Sequence, residues 1–151
     1  MMPFFRNLAF LVLSLTVAAA AARADDEWAG TVKAVTGTVT VERDGKTLPL
    51  GVGDKILPHD KLVTGKDSHV AVTLRDDTLI STGADSQVAL REFAFDAGTH
   101  DGNLFVAVLR GVTAMVSGLV AKANPQAMRV ATPTATIGIR GTEFVVEVGG
   151  D

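Results

Sequence analysis

The 151-residue sequence contains no cysteine and no tyrosine, one tryptophan and three histidines. Without cysteine there is no disulfide framework, no thiolate metal site and no thiol nucleophile, and lipid attachment of the bacterial lipoprotein type is excluded. Aromatic residues make up only 5% of the chain, too few for the rows of rings on which single strands or sugars stack. His59, His69 and His100 form no HxH or HExxH pair. The acids beside two of them, Asp60 and Asp101, point to the opposite face of any strand, so the histidines read as turn or surface residues. No serine lies in a GxSxG context, and Asp76-Asp77 reads as a solvated turn rather than a pair of catalytic acids. Lysines and arginines are scattered singly at a net charge of -3, which excludes a nucleic-acid surface. The sequence therefore predicts no catalytic residue, no cofactor, no metal site and no nucleic-acid partner.

The first 24 residues have the three parts of a secretory signal peptide. Residues 1–6 are short and basic, residues 8–17 are apolar, and residues 18–24 are small and end in Ala22-Arg23-Ala24, which places cleavage before Asp25. An uncleaved anchor is the alternative, but residues 8–22 fall short of the roughly 20 apolar residues a spanning helix needs. The expected division is a signal peptide at 1–24 and one domain at 25–151 with its core at about 30–148, exported to the periplasm or beyond. Cleavage removes Arg6 and Arg23 and makes the net charge two units more negative than -3.

Glycine (15 residues) and β-branched residues dominate what remains, which predicts an all-β domain of many short strands in a sandwich- or solenoid-like arrangement. Thr38 to Arg43 and Lys46 to Leu50 flank Asp44-Gly45 and read as a hairpin, and Trp28 is expected to pack onto the first strand. Val70, Val72 and Leu74 alternate with His69, Ala71 and Thr73, and Val88, Leu90 and Glu92 share a face in the run that ends at Phe95. Asp54, Asp60 and Gly65 mark turns, with the two carboxyl groups expected to accept hydrogen bonds from amides two residues on. Gly51 and Gly53 do not form a phosphate loop, because no Lys-Ser/Thr follows them. Residues 96–103 (DAGTHDGN) form the most polar loop and an expected mobile tip. Residues 104–123 have the length of a helix, but two glycines and many valines favour strands, with room for one helical turn at 117–125. No strict repeat is apparent, so a regular solenoid is not implied.

The stretch on which the reading turns is residues 128–148, MRVATPTATIGIRGTEFVVEV. Pro133 cannot donate to a ladder and pushes Thr132 toward extended backbone, so a strand ends or changes sheet there. Beyond it, strand, sharp turn at Gly141 and strand follow, with Phe144, Val146 and Val148 alternating with Glu143, Val145 and Glu147. Residues 132–144, TPTATIGIRGTEF, resemble the signature segment of the FecR-like domain family. GTV, GDKI, DKLVTG, SHVAVTL and LRGV stand upstream in that family's order. The resemblance covers about residues 30–148 and implies a role in envelope signalling or surface-associated binding; with the leader and the absence of catalytic residues, the expected protein is an exported, non-catalytic domain. It marks Thr132, Pro133, Thr134, Gly138, Arg140, Gly141, Thr142 and Glu143 as signature residues.

Arg140 is read as a corner clamp that satisfies turn carbonyls or pairs with Glu143, Asp54 or Asp60. The expected partner is an envelope protein or a cell-wall polymer, met by strand edges and by the 96–103 loop. Only six residues precede Asn7 and the apolar run, so no cytoplasmic segment that would bind a sigma factor is expected. A last strand with an unpaired edge would also suit self-association as a structural subunit; the alternative reading of that edge is a truncated form of a longer protein. An envelope hydrolase is the remaining alternative and lacks convergent acids.

Overall fold

The computed structural model describes residues 28–149; the expected signal peptide lies outside them. In chain order the strands are β1 (Gly30–Thr36), β2 (Val39–Arg43), β3 (Lys46–Pro49), β4 (Lys55–Ile56), β5 (Lys61–Thr64) and β6 (His69–Leu74). They continue with β7 (Leu79–Thr82), β8 (Gln87–Phe95), β9 (Gly102–Val116), β10 (Met128–Ala131), β11 (Thr136–Gly138) and β12 (Glu143–Val148). One short helix, α1 (Leu119–Ala123), and a 3-10 turn (Pro125–Ala127) separate β9 from β10. The fold is all-β, as the glycine and β-branched content predicts.

Its plan is a curled, mainly antiparallel sheet made of strands bent in the middle. β1 continues into β2, β5 into β6 and β7 into β8, while β9 bends without interruption. On one side of the bend the order is β12-β9-β7-β6-β1-β4, and on the other it is β3-β2-β5-β8-β9-β10-β11. Of these pairs only β9 with β10 is parallel. The two sides face each other across one core. Val32, Val70, Val72, Leu74, Ile80 and Met115 come from the first sheet, and Val41, Leu62, Val88, Leu104, Val106 and Val130 from the second. Alternation places them there: β6 reads half-buried, buried along its whole length, as a period of two requires when one face meets the core.

The bends coincide along one seam. Gly111 has φ 87° and an added Cβ would lie 2.5 Å from Ser86 Cβ and 2.7 Å from its Cα, so only glycine fits. Gly37, at φ 72°, stands in the same relation to Ser68. Each serine secures its neighbour's bend: Thr38 N–H donates to Ser68 Oγ at 2.9 Å and Val112 N–H to Ser86 Oγ at 3.1 Å. Between them, Ser86 N–H donates to Thr64 Oγ1 at 2.9 Å, and the hydroxyls of Thr82 and Thr113 lie 3.3 Å apart.

This seam reveals a repeat that the sequence analysis missed. Residues 64–71 (TGKDSHVA) and 82–89 (TGADSQVA) agree at six of eight positions. Both carry the chain from one sheet to the other. Asp67 and Asp85 occupy the same left-handed turn position, at φ 52° and 50°, which aspartate tolerates better than most residues.

Two further expectations change. Leu90 and Glu92 do not share a face, because a bulge between them shifts the register, so that Phe93 is buried and Glu92 exposed beside Phe105. Asp76 is not solvated: it is 0% exposed. Its carboxyl group accepts from Thr78 Oγ1 at 2.8 Å, Thr78 N–H at 3.1 Å and Val120 N–H at 3.3 Å, tying the β6–β7 turn to α1. Asp76→Asn replaces an acceptor oxygen with a donor facing these groups. It is expected to cost about 1–2 kcal/mol in urea unfolding.

The hairpin of β2 and β3 is present. Trp28 is 40% exposed and has Lys55 Nζ 3.9 Å from its ring centroid. The polar loop joins β8 to β9 and is closed on itself, Asp96 Oδ1 accepting from Gly98 N–H at 2.8 Å and Thr99 N–H at 3.2 Å.

Candidate functional site at the signature edge strands

The signature segment does not form the centre of the fold. That place belongs to β9, which pairs with β7, β8, β10 and β12. The segment instead supplies an outer strand to each sheet. Thr132 directly follows β10, and its N–H donates to the Ala135 carbonyl at 2.7 Å across Pro133 and Thr134. This turn folds β11 back onto β10, with Arg129 opposite Gly138 and Ala131 opposite Thr136. Thr142 then leads into β12, which lies on β9 with Glu143 opposite Val116 and Val148 opposite Gly111. The expected strand, turn and strand are all present. β11 and β12 do not pair with each other, because the chain crosses between sheets through Gly141 (φ 126°).

The crossing is fixed from below by Ser117, whose Oγ donates to the Gly141 carbonyl at 3.1 Å and whose N–H donates to the Thr142 carbonyl at 2.7 Å. Above it, Gly138, Ile139, Arg140 and Gly141 face Asn124, Pro125 and Gln126 across an open groove of about 900 Å³. Seven of the eight signature residues are exposed and Thr132 is half-buried. An added Cβ at Gly138 or Gly141 would meet nothing within 4 Å.

The clamp expected of Arg140 is not there. Its side chain is exposed and has no ion pair or hydrogen bond among the described residues. Topology separates the groups: Asp54 directly precedes β4, at the edge farthest from β12, and Asp60 directly precedes β5 in the other sheet, while Glu143 has no ion pair with Arg140 among the described residues. Asp60 is held instead by Arg43, with Nη2–Oδ2 at 2.6 Å and Nε–Oδ1 at 2.8 Å. The turn carboxyls also bond backwards rather than forwards. Asp60 Oδ2 accepts from Leu57 N–H at 2.8 Å and Asp54 Oδ2 from Gly51 N–H at 2.7 Å. Gly65 serves the seam, its N–H donating to the Thr38 carbonyl at 2.9 Å. Arg140→Ala is accordingly expected to leave the thermal midpoint within error, a change below about 0.5 kcal/mol; a drop in differential scanning fluorimetry would restore the clamp.

The histidines lie apart. His59 and His100 occupy turns at φ 73° and 62°, and His69 Nε2 is 2.8 Å from Ser81 Oγ. Among the described residues no group of three His, Cys, Asp or Glu side chains could hold a metal, and no helix is long and apolar enough to cross a membrane.

The chain belongs to the FecR family, matching the FecR protein family over residues 60–151. The matched region begins at Asp60 and includes both copies of the seam repeat, all of β9 and the whole signature segment. Membership in this family suggests a role in envelope signalling or protein interaction. No curated protein and no solved structure matches the chain.

Proposed function

We propose that this chain is an exported, non-catalytic envelope domain that recognises a partner protein by strand pairing at the signature edges. One observation supports this above the others. The signature segment builds exposed outer strands, with Gly138 in β11 on one sheet and Glu143 in β12 on the other, and its remaining residues form the turns before and between them, including an arginine with no ion pair or hydrogen bond among the described residues. A free edge offers a row of main-chain donors and acceptors and needs no pocket to bind an extended segment. Ile137 and Val145, 43% and 64% exposed, stand on these two strands as apolar contacts. Export rests on the leader, and the absence of catalysis rests on scattered histidines and acids.

Photocrosslinking tests it. A photoreactive residue at position 137 or 145 of the full chain is expected to capture the same envelope protein, whereas one at Leu48, on the β3 edge, is not. Capture of wall polymer alone would overturn the reading in favour of a polysaccharide-binding module, and capture of the chain alone in favour of a self-assembling subunit.

A further inference from the structure

The outer edge of β12 has no strand against it among the described residues, since β12 pairs only with β9. Its hydrogen-bonding phase is fixed. Ser117 N–H donates to the Thr142 carbonyl, so Thr142, Phe144, Val146 and Val148 turn their main-chain groups toward β9. Glu143, Val145 and Glu147 therefore turn theirs outward. The same three residues expose their side chains, Val145 at 64%. Neither glutamate has an ion pair or hydrogen bond among the described residues, and the residues opposite them on β9, Val116 and Val112, carry no charge.

We infer that the β12 edge takes an antiparallel strand of another protein that carries a basic residue, an apolar residue and a basic residue at positions i, i+2 and i+4. This rests on the edge-pairing reading above and adds the partner's chemistry. A strand docked on the outward groups places one residue opposite each of Glu143, Val145 and Glu147, and opposite charges so placed attract. The apolar middle residue continues the row formed by Val145 and Ala114.

A second copy of this chain is the wrong partner. Antiparallel self-pairing centred on Val145 is the register that uses all three outward residues. It sets Glu143 against Glu147 twice, and like charges directly opposite destabilise a sheet. Nor does the chain supply the complementary strand elsewhere, for no two of its 14 lysines and arginines are four residues apart. The glutamates thus attract one class of strand and reject the chain's own edge.

The test uses the full chain, nitrogen-15 labelled, with two capped peptides of sequence Thr-Lys-Thr-Val-Thr-Lys-Thr and Thr-Glu-Thr-Val-Thr-Glu-Thr. Amide shift titrations are expected to show the lysine peptide binding about tenfold more tightly, with the amides of Glu143, Val145 and Glu147 moving most. The double variant Glu143→Lys/Glu147→Lys is expected to invert that preference. Val145→Pro removes an outward N–H without breaking a bond to β9 and is expected to abolish binding of both peptides. Equal binding of the two peptides, binding that survives Val145→Pro, or a dimer of the chain that Val145→Pro dissociates would overturn the inference. Absence of binding by the lysine peptide would overturn it too. If crosslinking from position 145 still captures an envelope protein in that case, edge recognition stands and only the basic pattern falls.

Discussion

Gly111→Ala is expected to unfold the domain more readily than any other single-methyl substitution on the seam, by about 3–5 kcal/mol. Two costs combine. At φ 87° an alanine sits in backbone territory that L-residues avoid, and its Cβ would lie 2.5 Å from Ser86 Cβ and 2.7 Å from Ser86 Cα. The second contact is with main chain, so no side-chain rotation relieves it. Ser86 cannot retreat either, because its Oγ accepts from Val112 N–H and its own N–H is held by Thr64 Oγ1. The consequence reaches both sheets, since β9 pairs with strands on each side of the bend. Differential scanning calorimetry is expected to show the midpoint lowered by more than about 10 °C. As a control, Gly45→Ala also carries a positive φ, of 74°, but an added Cβ there meets nothing within 4 Å. It is expected to cost only about 1–2 kcal/mol. Equal effects at the two glycines would show that backbone strain alone matters and that the Gly111–Ser86 contact does not anchor the fold.

The glycine that carries this effect was visible in the sequence, but its task was not. Alternation in β6 and the Asp44-Gly45 hairpin are local patterns, so both were legible from the residues. What local pattern cannot supply is the partner of each strand. The signature segment shows this, for its strand, turn and strand are all present, yet β11 pairs with β10 and β12 with β9. The intervening Gly141 resembles a hairpin turn in sequence, while Ser117, more than twenty positions earlier, holds the crossing. Glu92 failed for a different reason, because one extra residue in β8 reverses the faces after the bulge and no composition signal marks it. The seam, by contrast, is legible in the residues. TGKDSHVA and TGADSQVA are nearly the same octet, and a search for short internal repeats would have found the two turns where strands change sheet.

Asp60 does bond a turn amide, but its principal partner is Arg43 rather than Arg140, and this pair leads to the second large effect. Asp60 is 1% exposed and forms a two-point pair with Arg43, which in addition donates to the Lys55 carbonyl at 3.1 Å. The pair fastens the end of β2 to the turn before β5. Its hydrogen bond to Asp60 raises the Arg43 pKa above the ordinary arginine value, outweighing the opposing effect of burial. The stability from a raised pKa is present below the ordinary value and lost only as pH rises through the folded one, so Arg43 contributes undiminished throughout the neutral range. Arg43→Met leaves the Asp60 carboxyl buried with only the Leu57 N–H donating to it, and is expected to cost about 3 kcal/mol in urea unfolding at pH 7. Adding Asp60→Leu removes the stranded group, since a buried ion pair replaced by apolar side chains of similar volume is close to neutral. The double variant is therefore expected to recover about half of the loss, with the Leu57 amide left unsatisfied accounting for the remainder. A cycle in which the two substitutions simply add would show that Arg43 and Asp60 act independently, and that β2 is held by its ladders with β3 and β5 alone.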